Sequence, residues 1–231
     1  MSDRLQIDVG LGLSEEGFQR RVARVDLFEE SVYLTRYEEC GSGVASCYEV
    51  DPQSLAAAFA GVAMETGWLP RNTLFYRVAD GREEIGVYLP AQRRQMTVVG
   101  LDGAATRHDV PLPPLVFVGR GTQYEVYATN AREWPQERER LFHAPLPNVY
   151  SDGRICQGGA SFPPASPELV YEAVEAFFTR PFNFHLVNRK SQAQPDDVTA
   201  MWADAAGGDA WPLEDLIRTH KLLRDVMEGG R

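Results

Sequence analysis

The chain has little with which to build a cross-linked or metal-held fold. Its 231 residues include three cysteines, Cys40, Cys47 and Cys156, an odd number without CxxC spacing, and only four histidines. That count favours reduced thiols over a disulfide framework or a zinc site. Positive charge is also short: 23 Lys and Arg face 33 Asp and Glu, giving a net charge of −10 and a pI near 4.9. Neither nucleic acid nor an anionic membrane would be drawn to such a surface. No apolar run approaches the ~20 residues of a membrane span, and Met1-Ser-Asp-Arg4 does not open a secretory signal. These absences leave proteins as the expected partners and the cytoplasm as the expected compartment, with neither a cofactor nor a metal.

What is present can bury a core in one domain, or in one domain with extensions. Residues 1–17 alternate Leu5, Ile7, Val9 and Leu11 and read as a short edge strand or a loose arm. Residues 22–37 read as one or two strands, and Cys40-Gly-Ser-Gly43 as a turn. Asp51-Pro52 predicts a helix start, followed by an Ala-rich segment through about Glu65. Strands are predicted over 73–79, 84–89, 95–99, 115–118 and 124–128, with a tight hairpin turn at Ala79-Asp-Gly-Arg82. Ser166-Pro167-Glu168 starts a helix whose buried stripe is Leu169, Ala173, Val174, Phe177 and Phe178 and which ends near Arg180-Pro181. A short helix is expected from Asp196 and a hinge over 205–209. Trp211-Pro212 then opens a last helix, with Leu213, Leu216, Ile217, His220, Leu223 and Met227 on one face.

Turn formers and a candidate nucleophile fall closest together over residues 141–159. Pro145 and Pro147 cannot donate to a ladder, Asn148 and Ser151-Asp152-Gly153 favour turns, and Gly158-Gly159 let the chain bend again. Cys156 is therefore expected between two turns, near the surface. A thiol with a reference pKa of about 8.5 becomes thiolate at neutral pH in a modestly electropositive setting.

Leu146-Pro147-Asn148, seven residues, then Cys156 resembles the ubiquitin-conjugating enzyme signature of His-Pro-Asn, seven residues and the catalytic Cys, with Leu146 in place of the His. The runs Pro114-Leu-Val-Phe-Val118 and Phe177-Phe-Thr-Arg-Pro-Phe-Asn-Phe-His185 are similar to those of prokaryotic family D of that superfamily, which includes protein B of the PRTRC gene cassette. The likeness covers roughly residues 20–190, leaving 1–19 as an N-terminal arm or edge strand and 191–231 as a C-terminal helical extension. It implies an α+β, ubiquitin-conjugating-enzyme-like fold: an antiparallel β-meander with flanking helices, an active-site Cys loop, an N-terminal strand and C-terminal helical extensions. It also implies a conjugating enzyme that takes a ubiquitin-like protein from a ThiF-like activating enzyme as a Cys156 thioester and passes it to an acceptor amine. A JAB-type peptidase would act in the same pathway.

Each site residue has an ordinary reading beside that one. Cys156 would be the nucleophile; otherwise it is a buried core cysteine. Asn148 matches the Asn of the triplet, credited with stabilising the tetrahedral oxyanion or holding the loop; otherwise it is a turn Asn after proline. Family D is described as lacking the triplet His and having another after the Cys, and His185 matches it best; otherwise it is a packing residue. His143 is a weaker candidate for that task, and Asp152 is either an orienting group for an incoming ammonium or a turn former. Cys40 and Cys47 have no catalytic context. Gly229-Gly230 fits a helix C-cap better than a modifier tail. At the level of the whole protein, the alternatives are a non-catalytic conjugating-fold module that binds the modifier or its activating enzyme, and an unrelated acidic α+β domain.

Overall fold

The run Leu115-Val-Phe-Val118 has no polar residue between its apolar ones, the pattern of a strand covered on both faces. In the computed structural model all four side chains are fully buried. The structure describes residues 5–13, 19–27, 31–37, 44–54, 67–79, 82–100, 102–159 and 161–229. The chain divides into two compact units, residues 1–66 and 67–231.

In the first unit four strands form an antiparallel meander: β1 (Leu5–Leu13), β2 (Gln19–Leu27), β3 (Val32–Tyr37) and β4 (Val44–Val50). Residues 5–13 are thus an edge strand, and 22–37 contains two strands rather than one. β4 has no counterpart among the expected strands. Its Cys47 is exposed and accepts a hydrogen bond from the Thr35 hydroxyl at 3.5 Å. The Asp51 carboxylate accepts from both the N–H and the hydroxyl of Ser54 at 2.8 Å, capping a helical turn at residues 52–54. The rest of the helix expected through about residue 65, and Cys40, lie outside the described residues.

The second unit is built on a six-stranded antiparallel sheet. In chain order its strands are β5 (Thr73–Ala79), β6 (Arg82–Leu89), β9 (Leu115–Arg120), β10 (Gln123–Thr129), β11 (Arg140–His143) and β13 (Arg218–Leu222); in space they run β13-β11-β10-β9-β6-β5. A second sheet joins β7 (Gln92–Val99) and β8 (Ala105–Leu112), and the two-residue β12 (Phe182–Asn183) pairs parallel to β7. The helices are α1 (Val170–Thr179), α2 (Val198–Ala205) and the short α3 (Leu223–Met227). Leu115 and Phe117 pack with Phe177 and Phe178 of α1 and Trp202 of α2, whereas Val116 and Val118 pack with Leu223 and Val226 of α3. Burial on both faces explains why β9 shows no alternation.

Most strand expectations hold within two or three residues, and Ala79 pairs with Arg82 across the expected hairpin turn. β8 has no counterpart among the expected strands, because Pro111 and the polar residues from Thr106 to Asp109 disguise a strand. Residues 211–227 differ more: where one helix is expected, the chain forms a 3-10 turn (Leu213–Asp215), strand β13 and α3. Tertiary pairing overrides the helical period there. β11 needs a partner on its open edge; Arg140 pairs with Leu222, the His143 N–H donates to Ile217 O at 2.9 Å, and the Thr219 hydroxyl donates to Leu141 O at 2.8 Å.

Candidate active site

The segment after β11 is held from below. Leu146 is fully buried, and the Trp202 indole N–H donates to Pro145 O at 2.8 Å. Where the resembled triplet has a histidine, this chain braces its loop with apolar packing.

Residues 149–155 then form a small hairpin, bridged between Val149 and Ile155 and closed by Tyr150 N–H to Arg154 O at 2.8 Å and Gly153 N–H to Tyr150 O at 3.0 Å. It docks on β10 through Val126 N–H to Gly153 O and Ile155 N–H to Tyr124 O, both 2.8 Å. Gly153 has φ +95°, and a Cβ there would fall on the Tyr127 ring. The Tyr127 hydroxyl, with one proton to give, lies within hydrogen-bond reach of both the Glu125 carboxylate and the Asp152 carbonyl, and the Lys221 ammonium donates to that carbonyl at 3.0 Å. Burial, reinforced by Glu125, pushes the Tyr127 hydroxyl far up.

Asn148 is the junction. Its backbone is left-handed at φ +57°, a conformation that Asn tolerates better than most residues. Its N–H donates to His185 O at 2.9 Å, and its carbonyl accepts from Cys156 N–H at 2.7 Å. Side-chain Oδ1 of Asn148 is buried and, among the described residues, has no hydrogen-bond partner. Cys156 is half-buried. Gln157 fixes the chain beyond it, its Nε2 donating to Thr122 O at 2.6 Å.

Cys156, Asn148 and His185 line one cavity of about 330 Å³, together with Arg180, Phe182 and Asn183. The three residues expected from the sequence are thus brought together. His185 is exposed, and its N–H donates to Asn183 Oδ1 at 2.9 Å. His143 is placed elsewhere, lining a separate cavity. Its imidazole is pushed down by burial and then by the charges of Lys190 and His220. Asp152 sits in the turn with its carboxylate bound to the Arg154 side chain at 2.7 Å and to its N–H at 3.1 Å. Burial raises that carboxyl, but the Arg154 hydrogen bonds, with the Arg154 and Lys221 charges, leave it below its usual range. Gly229 follows α3 at φ +81°, as a glycine helix stop does.

Two neighbours of the thiol were not singled out in the sequence. The Tyr150 hydroxyl donates to Cys156 Sγ at 3.6 Å, and that bond pushes the phenol up. The Tyr150 ring lies edge-on to His185 with centroids 6.4 Å apart and beneath the Arg154 guanidinium. Its position between Asn148 and Cys156 was the available signal. Arg180, read only as a helix end, stacks on Phe162 and donates to Ser161 O at 3.0 Å. It puts a cationic group into a cavity that holds a thiol. Among the described residues no cluster of His, Cys, Asp and Glu could hold a metal ion, and no helix is long and apolar enough to cross a membrane.

No curated protein and no solved structure matches the chain. The family model for prokaryotic E2 family D matches residues 51–218, which include every residue lining the Cys156 cavity. The match spans well over half of the sequence, and the chain belongs to prokaryotic E2 family D.

Proposed function

We propose that this protein is a conjugating enzyme of a prokaryotic ubiquitin-like pathway, charged by a ThiF-like activating enzyme and discharged onto an acceptor amine. The observation that carries the reading is the convergence of the half-buried Cys156 thiol with Asn148 and His185 on one open cavity. In the charging step the Cys156 thiolate attacks the thioester carbonyl that joins the modifier to the activating enzyme. A new Cys156 thioester forms, and the activating enzyme's thiolate leaves. In the transfer step a neutral amine attacks that carbonyl, the tetrahedral oxyanion collapses to an amide, and the Cys156 thiolate departs.

The Asn148 amide is the candidate donor to the oxyanion, and such a donor typically contributes ~10²–10³-fold. His185 is the candidate acceptor for the proton that the attacking amine loses. The Tyr150 hydroxyl, already on Sγ, can hold the departing thiolate.

The test is incubation with the activating enzyme, the modifier and ATP, followed by a non-reducing gel. An adduct should form on Cys156, collapse with reductant, and survive replacement of Cys40 or Cys47 by Ser. An adduct that persists in Cys156→Ala would remove Cys156 as the nucleophile. A modifier that binds without forming any adduct would make the protein a binding module.

A further inference from the structure

Beside the Cys156 cavity lies a second one, of about 380 Å³, that shares no lining residue with it. Its walls include Val149 and Ser151 of the Cys loop, Asn188, Arg189 and Lys190 beyond β12, and His143 on β11. Lys190 is only 4% exposed, and the Val149 carbonyl at 2.6 Å is the acceptor its ammonium meets. Among the described residues neither Lys190, Arg189 nor His143 is in an ion pair, and no Asp or Glu lines the cavity. An ammonium has three N–H donors, and one carbonyl satisfies one of them. Burying such a charge without a counter-charge is costly. In a chain of net charge −10, a cavity walled by cationic groups and no carboxylate is complementary to an anion.

We propose that this cavity is an oxyanion site, which takes a phosphate-sized or carboxylate anion between Lys190, Arg189 and His143, with Asn188 and Ser151 as neutral donors. The Lys190 ammonium is tied to the Cys loop by its bond to the Val149 carbonyl. Val149 lies between Asn148 and Tyr150, so an anion that keeps Lys190 charged also strengthens its charge-assisted bond to the Val149 carbonyl. Binding takes up protons, because burial holds Lys190 down to about 8 and His143 below its usual value. The other titratable groups packed here are His220 of β13 and Tyr150 of the loop. The acid on the neighbouring turn, Asp215, accepts through Oδ1 from the Ser191 hydroxyl and the Ala193 N–H, both at 2.8 Å, while its Oδ2 is buried and, among the described residues, has no hydrogen-bond partner; it does not line the cavity. The site does not depend on the thioester reading: an anion can bind whether or not Cys156 is ever charged.

The test uses the full chain and the side-chain nitrogen resonances of His143, followed while inorganic phosphate, and separately acetate, is added against sodium chloride of equal ionic strength. A saturable shift is expected, with the His143 pKa raised. Affinity should fall at least about tenfold in Lys190→Met, and in wild type should fall as pH rises from about 7 to about 9.5, through the Lys190 titration. Saturation by phosphate alone assigns the site to free phosphate or phosphate esters. Saturation by acetate as well extends it to carboxylates. No saturable shift with either anion, or equal affinity in Lys190→Met, overturns the proposal. Should that variant not fold, wild-type affinity that does not change with pH overturns it.

Discussion

Asn148 and His185 are joined main chain to main chain, the Asn148 N–H donating to the His185 carbonyl at 2.9 Å. Because the Asn148 carbonyl in turn accepts from the Cys156 N–H at 2.7 Å, the three candidate residues sit on one backbone relay that needs none of their side chains. Side-chain substitutions should therefore test chemistry without dismantling the loop, provided the backbone conformation is respected.

Asn148 sets that condition. At φ +57° an alanine carries a strain of about 1–2 kcal/mol that glycine does not. Asn148→Gly should keep a stability within about 1 kcal/mol of wild type by urea unfolding, and Asn148→Ala should be the less stable of the two. Both lack the amide, so both should transfer the modifier ~10²–10³-fold more slowly. A glycine variant with wild-type transfer would leave the side chain no role beyond shaping the turn.

His185→Ala keeps the carbonyl that holds Asn148, so charging of Cys156 should proceed as in wild type. Discharge onto free lysine should slow by ~10²–10⁴-fold if the ring accepts the amine's proton. Equal discharge rates in a folded variant would reduce the imidazole to its edge-on contact with Tyr150. His143 would not inherit the task, because it lines the other cavity.

The spacing from Asn148 to Cys156 was legible because turn chemistry is local: prolines, Asn and Asp-Gly announce a bend whatever surrounds them. The sheet strands with clear boundaries, Thr73–Ala79 and Leu115–Arg120, were legible for the same reason. β13 was not, since Arg218–Leu222 becomes a strand only when β11 offers an open edge about 75 residues earlier in the chain. Tyr150 and Lys190 were missed on the same grounds. Nothing local distinguishes a tyrosine that reaches Sγ or a lysine that is buried from ones that point into water.

Gly153 ties the Cys loop to β10, and a methyl group there would collide with the Tyr127 ring in a backbone conformation that side chains avoid. Gly153→Ala should lose about 2 kcal/mol or more of stability. Cys156 should be alkylated faster as the hairpin leaves Tyr124 and Val126. Stability within about 0.5 kcal/mol of wild type would mean that the hairpin is not anchored as tightly as its hydrogen bonds imply.

Lys190 gives a pH dependence of definite sign. Burial lowers its pKa from 10.5 to about 8 in the folded protein, so between those values the unfolded chain holds the proton that the folded chain has lost. Stability must then rise with pH across that window, whereas below about pH 8 both states are protonated and the burial penalty is present in full. Lys190→Met lacks this titration. The stability of wild type minus that of Lys190→Met, from urea unfolding in a buffer free of phosphate and carboxylate, should climb between about pH 8 and pH 10.5 by at most on the order of 3 kcal/mol. A difference that stays flat would show that the ammonium is not desolvated. The same measurement in phosphate should move the start of the climb to higher pH, since an anion against Lys190 restores its affinity for the proton.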